Sequence, residues 1–174
     1  MNVMTIKPTV ELETKSGFRF SVRPADEGDD AALTAFFEEH VTKDDLRYRF
    51  LSPIQHVTKK QIEAMTHIDH RQTEDFLAFA PDGDEIIGTA ILAADKNLQT
   101  AEVALTVHAD FKGRGIESRL LNYVTAQARA RGLKKLIAIE YRENHCMVTL
   151  EREMGFTPKA IEGEPMLVML ETTL

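Results

Sequence analysis

The chain has 174 residues, 43% of them apolar and 28% charged, the balance of a single soluble globular domain rather than a disordered or fibrous chain. Its 28 acidic residues outnumber 21 basic ones, for a formal charge of -7, which argues against a general nucleic-acid binder and is compatible with a basic acceptor such as an amine. Cys146 is the only cysteine, so no intrachain disulfide forms, and with no run near the roughly 20 apolar residues of a membrane span and no apolar signal core, a cytoplasmic protein off the membrane is expected.

Residues 1–17 read as a polar N-terminal arm, either loose or added as one strand, ahead of a single domain over 18–174. Residues 18–23 (FRFSVR) alternate apolar and polar, which predicts a strand. The acids of 26–30 suit a helix start, and 31–40 reads as a helix with Leu33, Phe36 and Phe37 on one side. A charged helical stretch spans 42–50, and Thr58 caps a short helix reaching Met65. Residues 76–80 and 85–93 form a hairpin around Pro81-Asp82-Gly83-Asp84.

A strand is predicted over 101–107, with Val103, Leu105 and Val107 on one face and Glu102, Ala104 and Thr106 on the other. A glycine-containing loop covers 108–115. Residues 116–131 carry Ile116, Leu120, Val124 and Ala128 at helical spacing, and Gly132 ends that helix in a left-handed cap. A strand over 136–141, a helix over 145–154 closed by Gly155, and a strand over 166–171 complete the chain. The order describes a mixed α/β (α+β) fold, with antiparallel strands first and a strand–helix–strand unit later. The segment 166–174 is also the expected edge for pairing, were the protein a homodimer.

The strand at 101–107 runs into Lys112-Gly113-Arg114-Gly115, which opens directly into a helix. Glycines let the backbone approach a ligand, and the first helical turn leaves N–H groups unpaired at the positive end of the dipole. That combination makes a phosphate cradle, to which Lys112 and Arg114 add mobile positive charge. The spacing is neither that of a P-loop nor that of a dinucleotide fingerprint. The alternative is a tight strand-to-helix turn with solvated basic residues.

The segment resembles the acetyl-CoA loop of the GNAT superfamily, whose pattern is R/Q-x-x-G-x-G/A; the matching hexapeptide is Lys112-Gly113-Arg114-Gly115-Ile116-Glu117. Glu143-Asn144, a short helix and then Gly155-Phe156 resemble that family's "N … GF" segment. Arg47-Tyr48-Arg49-Phe50, Ile68-Asp69-His70, Ala101-Glu102-Val103-Ala104, and Asn144 with Met147 are similar to segments of bacterial protein lysine acetyltransferases. The resemblance covers residues 18–173. It implies a GNAT fold, a mixed central sheet flanked by helices, and an acetyltransferase using acetyl-CoA as co-substrate on a primary amine, with a protein lysine as one such acceptor.

By position, the resemblance implies that the backbone of Leu105, Thr106 and Val107 pairs with the pantetheine arm. It implies that Lys112 and the N–H groups of Gly113, Arg114, Gly115 and Ile116 hold the pyrophosphate, with a hydroxyl from Ser118. Asn144 would bond the pantetheine amide, or cap its helix, or both. Glu102 would be the general base, and a backbone N–H near Val107 would stabilise the oxyanion. Two residues depart from the pattern. Glu117 stands where Gly or Ala is usual, either facing the pyrophosphate or pointing to solvent. Glu151 stands where many members carry a Tyr that protonates the leaving thiolate. Glu117 keeps open a second reading, a non-catalytic acyl-CoA sensor; a generic phosphate-binding module is a third. No metal is expected at His67 and His70, because zinc needs at least three protein ligands. Cys146 reads as an ordinary thiol, since its neighbour His145 points elsewhere on the helix.

Overall fold

The computed structural model describes residues 8–174. The alternating segment near residue 20 becomes β2 (Arg19–Pro24), with Phe20 and Val22 fully buried. Of the two possibilities for the N-terminal arm, residues 10–13 take the strand: β1 (Val10–Glu13) pairs antiparallel with β2 and buries Leu12. Residues 1–7 of the arm lie outside the described residues. The 26–30 acids cap rather than repel. Asp26 accepts the Gly28 N–H at 2.8 Å, Asp29 accepts the Asp26 N–H at 2.8 Å, and Arg23 grips Asp29 through both nitrogens at 2.8 and 2.9 Å. The helix α1 (Asp30–Glu39) follows from this start.

Two further short helices are set by threonine caps. Thr42 accepts the Asp45 N–H at 3.1 Å and starts α2 (Lys43–Phe50); Thr58 and Gln61 form a capping box for α3 (Lys59–Thr66). The hairpin is β3 (Thr73–Phe79) with β4 (Ile86–Ala94), and β5 (Thr100–Val107) pairs antiparallel with β4. Then come α4 (Ile116–Ala130), β6 (Lys135–Tyr141), α5 (His145–Glu153), β7 (Thr157–Ala160) and β8 (Leu167–Thr173). The described strands make one eight-stranded sheet, in the order β1-β2-β3-β4-β5-β6-β8-β7.

The sheet is covered on both faces, so β3 contributes to two cores. Phe76 and Ala78 join Leu120, Leu121 and Val124 of α4; Leu77 and Phe79 join Phe36, Phe37, Ile62 and Met65 of α1 and α3. Each fully buried large side chain contributes about 1.5–3 kcal/mol of transfer free energy, enough to fix which helix lies on which face. One expectation changes at the C-terminal end. The segment expected as a pairing edge, β8, lies between β6 and β7, so both of its sides are already hydrogen-bonded. The edge is β7, which has no alternation to read because all four of its residues are exposed. Its Pro158 lacks an N–H, which is tolerated at an edge. No helix among the described residues is long and apolar enough to cross a membrane.

The feature that positions the site is where one strand pair ends. β5 and β6 are parallel, but their register holds only from Thr100↔Lys135 to Glu102↔Ile137. Both strands continue, to Val107 and to Tyr141, without each other. A wedge opens between them.

Candidate active site

The wedge is a cleft of about 390 Å³. Glu102, Ala104, Leu105, Thr106 and Val107 form one wall, Ile139, Glu140 and Asn144 the other, and Asp45, Tyr48 and Arg49 of α2 its third side. Backbone N–H and C=O groups alternate in direction along a strand, so half of those in 103–107 bond β4 and half face the gap. A strand-like ligand can pair with them. The expected two-face alternation fails here: Leu105 is only half-buried while Thr106 is buried, because β6 no longer covers this part of β5.

At its far end the cleft meets the start of α4. Gly115 is the residue before that helix and has φ +84°, Gly113 has φ +78°, and no side chain caps the helix. A Cβ on Gly113 would meet nothing within 4 Å, so what calls for glycine there is the left-handed backbone and not space. The first-turn N–H groups are left for an anion. Ser118 lines the cleft at this end, and Ile116 anchors the helix in the core. Both cations of the loop have partners. Lys112 is ion-paired with Asp45 of α2. Arg114, itself exposed, lies over the rings of Phe111 and Phe18, at 4.8 and 5.3 Å. Glu117 lines the cleft beside these glycines, half-buried, rather than standing free in solvent.

Glu102 sits at the vertex of the wedge, on the last paired position of β5. Burial raises its proton affinity, and the Arg49 charge opposes that rise. Arg49 is itself held among Asp75, Glu102 and the Met65 sulfur, the last at 3.5 Å. Asp75 is fully buried, takes the Thr89 hydroxyl at 2.5 Å, and is pushed by burial up to about 7. The α2 residues were not legible as site residues, since a helix of alternating charges reads as a solvated face.

Glu140 was also missed. It falls on the inward phase of β6 with Leu136 and Ala138, and a charged residue in that phase was the available signal. Asn144 turns its amide to Glu140, with Nδ2 donating to Oε2 at 3.2 Å, and makes no capping hydrogen bond, so the cap reading of Asn144 is corrected. Its Oδ1 is left for a ligand N–H. Glu151 is buried, at 2% exposure, with its Oε2 left without a hydrogen-bond partner, and it interacts electrostatically with Glu140. Burial, the first cause for each, raises both proton affinities; the Glu140 charge adds to the rise at Glu151, while Glu151 and the Asn144 amide oppose the rise at Glu140.

The histidines are engaged elsewhere. His67 bonds Asp30 at 2.9 Å and His70 bonds Glu74 at 2.7 Å. His40, Glu85 and His108 bring ligand atoms within 4.8 Å of one another. However, His108 Nδ1 accepts the Asp110 N–H at 3.0 Å, so Nε2 carries the ring proton and donates to Glu85 at 3.1 Å. That ring has no lone pair to spare, and two ligands are too few for zinc. Cys146 is a free, exposed thiol on the rim of the cleft.

The profile of the Acetyltransferase (GNAT) family matches residues 35–156. The Pseudomonas aeruginosa acetyltransferase PA5475 is 25% identical over 111 residues, which span 63% of this chain and 60% of that protein. The GNAT domain of S. lividans PAT superposes with a TM-score of 0.87 at 29% identity, over 95% of this chain and 97% of that one. A spermidine N-acetyltransferase from Vibrio cholerae, solved with CoA and spermine, shares the fold at a TM-score of 0.71 and 18% identity, over 88% of this chain and 95% of its own. Because the family profile runs from α1 to Phe156, and so takes in both walls of the cleft, the chain belongs to the GNAT acetyltransferase family.

Proposed function

We propose that the protein is an N-acetyltransferase that seats acetyl-CoA in the wedge between β5 and β6 and transfers its acetyl group directly to a primary amine. The observation that carries this reading is the end of β5–β6 pairing at Glu102, which leaves a free strand edge leading to an uncapped, glycine-framed helix start. The pyrophosphate meets the N–H groups of Gly113 to Ile116, with Lys112 and Ser118 beside it. The pantetheine arm runs along Leu105, Thr106 and Val107 and gives its amide N–H to Asn144. At the vertex Glu102 takes the proton of the attacking amine, and a backbone N–H near Val107 holds the oxyanion. Raised proton affinity suits Glu102 to this task, because a base nearer neutrality both accepts and releases a proton. A protein lysine is the acceptor we favour: the structural likeness to the PAT domain supports it, as do the carboxylates of Glu102 and Glu117 that line the cleft.

A second reading has its own observation. Glu117 lines the pyrophosphate end, and Lys112 is tied to Asp45, so a sensor that binds acyl-CoA weakly and transfers nothing fits the same cleft. Calorimetric titration with acetyl-CoA, with ATP as control, separates these readings when followed by an amine screen. Micromolar binding of acetyl-CoA alone with turnover on amines supports the transferase. Binding without turnover supports the sensor. Equal binding of ATP would show a general phosphate site and reject both.

A further inference from the structure

The loop that opens α4 carries two left-handed glycines, Gly113 at φ +78° and Gly115 at φ +84°. A glycine has no side chain to hinder rotation of the peptide groups beside it, so neighbours must fix which way each N–H points. A phosphate cradle needs those N–H groups on one side. What holds this loop from behind is the turn between β1 and β2. That turn is closed by the Thr14 N–H, which donates to the Phe18 carbonyl at 2.9 Å, and by the Gly17 N–H, which donates to the Thr14 carbonyl at 3.0 Å.

A chain of hydrogen bonds runs from the turn to the loop. The Phe18 N–H donates to Thr14 Oγ1 at 3.1 Å, Thr14 Oγ1 and Ser16 Oγ lie 3.0 Å apart, and Ser16 Oγ donates to the Arg114 carbonyl at 3.4 Å. Ser16 has one hydroxyl proton and gives it to Arg114, so Thr14 gives its own to Ser16. The Arg114 guanidinium is drawn to the same side, 5.3 Å over the Phe18 ring. The buried Thr14 side chain backs Gly115, 3.4 Å from where a Cβ would stand. The peptide that joins Arg114 to Gly115 is trans, and a planar trans peptide sets its oxygen and its hydrogen on opposite sides. With its carbonyl facing Ser16, it turns the Gly115 N–H away from the hairpin. Away from the hairpin lies the cleft: Gly113 and Gly115 line it, whereas Thr14 and Ser16 do not.

Resting on the reading that seats acetyl-CoA in this cleft, we propose that Ser16, backed by Thr14, is a positioning residue for the pyrophosphate: by holding the Arg114 carbonyl it aims the Gly115 N–H at the phosphate oxygens. Ser16 touches no ligand. Its effect reaches the phosphates through one peptide group, so it acts on the nucleotide half of the cofactor and leaves the chemistry at Glu102 alone. Without the Ser16 hydroxyl the peptide beside Gly115 is free to turn over, and its carbonyl, negative like the phosphates, then faces them in place of the N–H. The β1–β2 hairpin is in this way part of the cofactor site although it lines none of the cleft.

The test compares Ser16→Ala with Ser16→Thr, which keeps the hydroxyl, in the full chain with two acetyl donors. Acetyl-CoA carries the pyrophosphate; S-acetylpantetheine has the same thioester and the same arm without it. In Ser16→Ala the KM for acetyl-CoA is expected to rise about fivefold with kcat unchanged, the size of effect that one neutral hydrogen bond gives, while S-acetylpantetheine is used as by the wild type. Ser16→Thr is expected to keep the wild-type values. An unchanged KM for acetyl-CoA, or an equal loss with both donors, overturns the proposal. Two readouts need no turnover. In calorimetry, Ser16→Ala is expected to bind CoA about fivefold more weakly than the wild type does. In ¹⁵N-glycine spectra, CoA is expected to move the Gly115 amide signal of the wild type, and to move it less in Ser16→Ala. A wild-type Gly115 signal that CoA leaves in place overturns the proposal. Both binding effects in a protein that acetylates no amine support the positioning role and overturn the transferase reading instead. A wild type that binds no CoA overturns the reading of the cleft, and this proposal with it.

Discussion

Glu117 and Glu102 are carboxylates in one cleft with opposite expected effects. Glu117 is half-buried beside the glycines that would hold a pyrophosphate. Like charges about 5 Å apart cost on the order of 1–3 kcal/mol at intermediate dielectric. Glu117→Gln, which keeps size and helix propensity, is therefore expected to tighten acetyl-CoA binding about tenfold, measured by calorimetry; an unchanged affinity places the carboxylate away from the phosphates. Glu102 stands at the vertex, and Glu102→Gln is expected to slow transfer about 10²-fold while acetyl-CoA affinity stays the same. Steady-state kinetics beside a binding titration checks this, and a rate within a factor of two of wild type removes Glu102 from the base role. Glu102 and the loop glycines were legible in the sequence. Glu140 and Arg49 were not, because each sits in a segment whose pattern predicts an ordinary strand or a solvated helix face.

The element that matters most is the turn from β5 into α4. Its direction depends on Gly115, whose φ of +84° a side chain adopts only at a cost of about 1–2 kcal/mol. A Cβ there also stands 3.4 Å from the Thr14 side chain, at the end of β1. Gly115→Ala is expected to lower stability by about that amount in urea unfolding and to weaken acetyl-CoA binding more than Gly113→Ala, where a Cβ meets open space. Equal effects of the two substitutions would show that only the local backbone matters. The helices were legible from their periodicity and caps. β7 was not, because four exposed residues carry no pattern, and its place at the edge follows from β8 pairing with β6 instead.

Across the whole molecule, three buried carboxyls have raised proton affinity: Asp75, at about 7, and the pair Glu140 and Glu151. A carboxyl raised on folding binds its proton more tightly in the folded state than in the unfolded one. Its contribution is complete below about pH 4 and is lost as pH rises through the folded value. Asp30, Glu38, Asp69 and Glu171 are lowered by their hydrogen bonds, and their stabilisation is lost in the opposite direction, below about pH 4. Stability is therefore expected to be greatest in mildly acidic solution and to decline toward alkaline pH. Glu151→Gln is expected to flatten the alkaline decline, followed as the urea midpoint between about pH 5 and 9. A mutant curve parallel to wild type would show that the pair does not change its proton binding on folding.

The sequence alone determined the order of elements apart from β7, the glycine turn that opens α4 and the family pattern, because periodicity, capping and glycine placement are local properties that short segments carry by themselves. Only the tertiary structure decided that β5 and β6 part after Glu102, that α2 forms the third side of the cleft, and that Glu151 is buried within reach of the Glu140 charge. Those depend on register and on side chains distant in sequence. Whether a carboxyl holds a proton is set by the neighbours that bury it, and no run of adjacent residues encodes them.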